Sequence, residues 1–228
     1  LIRDQPWISD AEKRPVEVRD NQSGCLGTVP ADSRMQREHG ASMRMEDEMD
    51  HEVPVKKKID DLYKLVEGIE VAMVTTRRPD GALVSRPMGT QEHRPGADFW
   101  FVTDIESAKM EDLEFDPHVS LAYFNTKTWE WISVSGTVRV SRDRALIHEL
   151  YRKDWKAWFG DEGGERDAGP DDPRYALLLV DAQRVIYGKK NKPKPIALFE
   201  IARGIATGTP PDVMDVRKIT NAELDSQF

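Results

Sequence analysis

Between Trp129 and Val140 apolar and polar side chains alternate. Ile132, Val134, Val138 and Val140 share one face, and Ser133, Ser135, Thr137 and Arg139 share the other. Side chains alternate across a strand, so this run demands a sheet with one covered and one open face, as antiparallel sheets have. Shorter runs of the same kind surround it. Val71 to Arg77 and Ala82 to Thr90 flank the turn Pro79-Asp80-Gly81, Phe99 to Thr103 and Val119 to Phe124 are apolar, and Tyr175 to Tyr187 is a last strong strand. Ile59, Leu62, Tyr63, Val66 and Ile69 repeat at helical spacing. A second helix is predicted from about Ser107 to Glu114, stopped by Asp116-Pro117, and a third from about Arg142 to Phe159. Helix, hairpin, strand, short helix, hairpin, helix, strand is the order of a small α+β barrel with mostly antiparallel strands, not of a parallel Rossmann sheet.

The two ends read differently from the middle. Residues 1–54 carry one aromatic, Trp7, many charges and no sustained period. Such a stretch buries too little apolar area to offset its ordering entropy, so it is expected to be a mobile extension. Residues 55–190 form the predicted domain. Residues 191–228 form a C-terminal extension, with a short helix or extended piece from Ile196 to Ile205 leading into a polar tail.

Several function classes recede on composition. Lys plus Arg is 33 against 41 Asp plus Glu, a net charge of -8, which disfavours nucleic acid. No apolar run approaches the roughly 20 residues of a membrane span, and no apolar leader opens the chain. Cys25 is the sole cysteine, so no intrachain disulfide can form, and a cytoplasmic location is expected. The five histidines lack ligand spacing, and His148-Glu149 is followed at the partner position by Arg152, so no metal site is predicted. There is no GxGxxG, Walker lysine loop or GxSxG elbow, and no residue stands out as a catalytic acid or base.

Three segments carry positive signals. In Ser85-Arg86-Pro87-Met88, Arg86 can grip a phosphate with two donors, or can be a surface arginine beside an edge-strand proline. From Thr103 to Lys109, two hydroxyls and an ammonium meet at a strand-to-helix junction, which suits a phosphate. An ordinary Ser107 cap beside a solvated lysine fits equally well. Trp129, Trp131, Trp155 and Trp158 can wall a flat heterocycle or fill a core.

Taken in order, these segments resemble the FMN-binding split-barrel superfamily, whose best-known member is pyridoxamine 5′-phosphate oxidase, and within it the bacterial general stress proteins. The likeness rests on the first helix and the Val71–Thr76 strand, on Ser85-Arg86-Pro87-Met88, and on Phe101, Thr103, Ser107 and Lys109. It rests also on Asp116-Pro117-His118-Val119, Trp155-x-x-Trp158-Phe159 and Asp172-Pro173. It implies a six-stranded antiparallel split β-barrel with flanking helices, homodimeric, with flavin at the dimer interface. Arg86, Ser107 and Lys109 would face the FMN phosphate. Pro87, Met88 and the backbone of Val102, Thr103 and Asp104 would line the ring, with Trp158 also in the cofactor site. Ala108 stands where the oxidase has a second arginine, and Gln91 where it has a lysine, so each missing charge-assisted bond costs about 1.5–3 kcal/mol. The basic residues that would recognise pyridoxal phosphate are not evident. The resemblance implies a flavin-dependent oxidoreductase or a flavin-binding general stress protein, with FMN as cofactor and FAD or a deazaflavin as the other candidates. A deazaflavin-dependent reductase and a non-catalytic dimeric interaction module are the rival readings.

Overall fold

The computed structural model describes residues 53–226. The expected mobile extension over residues 1–54 lies almost wholly outside them. Helix α1 (Val55–Ile69) leads into the hairpin β1 (Val71–Arg77) and β2 (Leu83–Gly89), then β3 (Phe99–Asp104) and α2 (Lys109–Phe115). A second hairpin, β4 (His118–Phe124) and β5 (Trp131–Ser141), is followed by α3 (Arg144–Leu150), a 3-10 turn at Lys153–Trp155 and α4 (Lys156–Phe159). The chain closes with β6 (Tyr175–Lys190), α5 (Lys194–Thr207), β7 (Met214–Thr220) and α6 (Asn221–Asp225).

Among the described residues all pairings are antiparallel, and six strands follow the order β2-β1-β4-β5-β6-β3, curled into a half-barrel with flanking helices as the resemblance implies. The concave face holds the main core. Leu62 and Val66 of α1 pack there with Val74, Phe101, Leu121, Val134, Val185 and Ile219. Across β3 and β6 lies a second apolar layer of Trp100, Ile147, Leu150, Trp155, Tyr175, Leu177 and Leu179. This explains why Tyr175 to Val180 is apolar at every position: a strand covered on both faces needs no polar side.

β6 bends to serve two neighbours along one edge. Its first half, to Val180, pairs with β3, and its second half, from Arg184, pairs with β7. In the gap the Asp98 carboxylate accepts from Ala182 N at 2.7 Å, replacing the missing ladder bond. On the other edge the β5 register shifts between Ser135 and Gly136, where a Cβ would collide with the Asp181 main chain.

Two elements differ from the sequence expectation. The helix expected over 142–159 ends at Leu150, because Tyr151 turns to extended backbone. There its hydroxyl donates to Ala168 O at 3.0 Å and its ring meets Trp155. The expected polar tail contains β7, which adds a seventh strand on β6.

Candidate functional site

β2 and β3 are the two ends of the curled sheet, and they meet at one point. Thr90 bridges Phe101, and Gln91 N donates to Trp100 O at 2.7 Å. Among the described residues no ladder joins β2 to β3 beyond that bridge, so a seam opens toward Arg86 on one strand and Thr103 on the other. Main-chain donors and acceptors on both sides of such a seam lack strand partners.

Side chains from β1, β2, β3 and α2 gather at the seam. Lys109 Nζ donates to Thr103 Oγ1 at 2.7 Å and to Ser107 Oγ at 2.9 Å. Arg86 donates to Thr76 Oγ1 at 2.8 Å and to the buried Asp112 carboxylate at 3.0 Å, and Thr76 donates to the same carboxylate oxygen at 2.8 Å. Burial, and then the neighbouring Arg86 guanidinium, push the Lys109 ammonium down to about 8. Two cations held close with hydroxyl donors and partly out of water form a site that an anion would relieve.

The structure therefore brings together Arg86, Thr103, Ser107 and Lys109. Ser107 does not cap α2: its hydroxyl donates to Asp104 O at 2.6 Å, and the N-cap position falls on Ala108 without a side-chain bond. α2 is only seven residues long, so the anion-binding character rests on side chains. Asp104 accepts from Glu106 N at 2.8 Å and shapes the turn. Pro87 and Met88 lie on β2, with Pro87 exposed and Met88 packed against the main core. Val102 turns its side chain to the second apolar layer, leaving its backbone on β3. Trp158 stands apart: it is 75% exposed on α4 and shares no hydrogen bond or ring pair with the cluster among the described residues. Trp155 is buried, and Trp129 is exposed.

Sequence reasoning missed the residues that hold this cluster. Thr76 and Asp112 fix Arg86, yet Thr76 is named only as the end of a matching strand and Asp112 sits in no motif. Behind the Asp104–Ser107 turn, Arg174 is buried against Asp172 and accepts Ile105 N on its carbonyl at 2.8 Å. Although burial alone would raise it, Asp172 is held down at about 2 by the Arg174 guanidinium and by the main-chain amides of Arg174 and Ala168. The only advance signal was the Asp172-Pro173 pair. Among the described residues no cluster of three or more His, Cys, Asp or Glu could hold a metal, and no helix is long and apolar enough to cross a membrane.

Comparison with known proteins gives these features a context. The model of the family described as pyridoxamine 5′-phosphate oxidase like matches residues 57–212. Protein bli-3 of Neurospora crassa is 37% identical over 181 residues, which span 78% of this chain and 87% of that protein. A solved protein from Clostridium acetobutylicum is related to general stress protein 26 of B. subtilis. It aligns with a TM-score of 0.50 at 22% identity, over 59% of this chain and 89% of its own. A general stress protein 26 of Jannaschia sp. aligns with a TM-score of 0.53 at 22% identity, over 69% of this chain and 94% of its own. Those two structures establish a shared fold. Since the family model covers most of the chain and bli-3 matches along most of both lengths, the chain belongs to the pyridoxamine 5′-phosphate oxidase like family.

Proposed function

We propose that this chain binds FMN in the seam between β2 and β3 and serves as a flavin-dependent oxidoreductase of the general stress type. The observation that carries this reading is the convergence of Lys109, Thr103 and Ser107 beside Arg86. A half-buried ammonium with two hydroxyls and a second cation suits a dianionic phosphate monoester. The donor set fits, though Asp112 already balances Arg86, so hydrogen bonds carry more of the affinity than net charge does. The open strand edges offer main-chain groups to a flat ring. When bound, the flavin supplies the redox chemistry. The chain's own residues hold the phosphate, orient the ring against β2 and β3 and exclude water.

The family supports a second copy as partner, with the cofactor at the shared interface. The outer sheet face is consistent with this: Pro87, Met73, Ala122 and Ser133 form one exposed uncharged row from β2 to β5, and Leu198, Ile201 and Ile205 of α5 are exposed as well.

Titration with FMN, FAD, riboflavin and a deazaflavin, followed by flavin fluorescence quenching, tests the reading. FMN binding tighter than riboflavin is the expected result; equal affinity, or no binding, would refute the phosphate site. Light scattering coupled to size exclusion decides between monomer and dimer.

A further inference from the structure

The turn that delivers Ser107 and Lys109 to the seam is gripped from behind by a second loop. Arg166 donates to both carboxylate oxygens of Glu106, at 2.8 and 2.9 Å, and through Nε to Glu162 at 2.8 Å. The loop that carries Arg166 is itself fixed, because buried Arg174 donates to the carbonyls of Phe159, Gly160 and Arg166. Ile105 N donates to Arg174 O. Two successive residues of the turn are thus tied to this loop, Ile105 by donating to Arg174 O and Glu106 by accepting from Arg166. The next residues along the chain bring the hydroxyl and the ammonium that meet at Thr103.

We propose that the Glu106–Arg166 pair is a positioning device for the anion site in the seam, acting on the phosphate end of a bound flavin mononucleotide and not on its ring. The inference rests on the phosphate reading given above. A bidentate fork fixes direction as well as distance. Arg166 also has a second carboxylate, Glu162, to keep it in place when Glu106 is altered. Glu106 is exposed and Arg166 is 36% exposed, so solvent screens the pair and it contributes little to global stability. Its effect is therefore expected in ligand preference, through the direction in which Ser107 and Lys109 point.

The experiment compares wild type with Glu106→Gln, Arg166→Gln and the conservative Arg166→Lys, measuring FMN and riboflavin affinity alongside thermal unfolding. Wild type should prefer FMN. Each glutamine variant should lose about threefold to fivefold in FMN affinity, with riboflavin affinity and the melting temperature unchanged. Arg166→Lys, which keeps the charge toward both carboxylates but not the two-pronged grip, should lose less than Arg166→Gln. If wild type prefers FMN and the variants keep that preference intact, the positioning role is wrong while the phosphate reading stands. An equal fall for both ligands means the pair is merely structural, which also overturns the role. If wild type binds riboflavin as well as FMN, the phosphate reading fails and this inference fails with it.

Discussion

Lys109 reaches back over six residues to donate to the Thr103 hydroxyl at 2.7 Å, so the end of β3 and the first turn of α2 share one half-buried ammonium. The ammonium faces an opening between two strand ends, with a guanidinium as neighbour. That arrangement is uncomfortable without an anion.

FMN affinity should depend on pH with two limbs. Lys109 titrates at about 8 in the free site, and a bound dianion would raise it toward the ordinary value of 10.5. Binding then takes up a proton above about pH 8, and affinity falls by up to tenfold per unit as pH rises through that window. On the acid side the phosphate itself protonates near about pH 6, which weakens binding again. Quenching titrations from about pH 5 to 10 would show a plateau near neutrality. Lys109→Arg should lose the alkaline limb; a wild-type affinity flat across that limb would contradict the assignment.

Lys109→Met should separate stability from binding. A lysine whose folded value lies below its unfolded one opposes folding while it is charged, and the penalty fades as pH rises from about 8 toward 10.5. The variant should melt higher than wild type at neutral pH, by about 2–4 °C for each kcal/mol relieved. The rise in wild-type stability toward alkaline pH should be missing from the variant. FMN affinity should fall by roughly tenfold or more, the worth of one charge-assisted bond. Differential scanning calorimetry paired with FMN titration reads both, and an unchanged melting temperature would count against a strained lysine.

Removing one partner of the buried Asp172–Arg174 pair should be costly. Arg174→Met leaves a carboxylate without its guanidinium and three carbonyls without their donor, a loss of about 3–5 kcal/mol in urea unfolding. Asp172, held at about 2, adds stability that is full above its unfolded value of 3.8 and is lost as pH falls toward 2. Asp172→Asn should remove that acid-dependent portion. Identical acid unfolding of wild type and variant would argue against the pair's contribution.

Asp98 fills the break between β3 and β7, and its two roles can be separated. Burial raises its pKa, opposed by the bond from Ala182 N. A raised carboxylate favours folding least when ionised, so Asp98→Asn, which keeps an acceptor without the charge, should be as stable as wild type or more so at neutral pH. Asp98→Ala leaves Ala182 N without a partner and should cost about 1–3 kcal/mol. Equal stability of the two variants by chemical denaturation would remove the bridging role.

The strands announced themselves because alternation is a local property: Ile132, Val134 and Val138 point inward in the structure as their spacing requires. Thr103, Ser107 and Lys109 were legible for the same reason, since a strand end and the next helix lie within seven residues of chain. Arg86 was visible too, but its holders were not. Thr76 lies ten residues away and Asp112 twenty-six, and only the fold makes them neighbours. Arg174 acts through main-chain carbonyls, which leave no trace in side-chain identity. β7 escaped because of its seven residues only Ile219 is fully buried; the free edge of β6, more than any hydrophobic pattern, makes it a strand. Three residues after the buried Trp155, the Trp158 side chain is exposed on α4.

An edge strand left open invites addition of a foreign strand, the first step of edge-to-edge aggregation. β2 is such an edge, and it carries Pro87 in its middle. Proline is tolerated within a strand where its nitrogen faces away from the ladder, so the open side of β2 offers an interrupted row of donors. A peptide seeking a continuous ladder finds a gap there. The same residue that blunts the edge against other chains leaves it free for a small flat molecule.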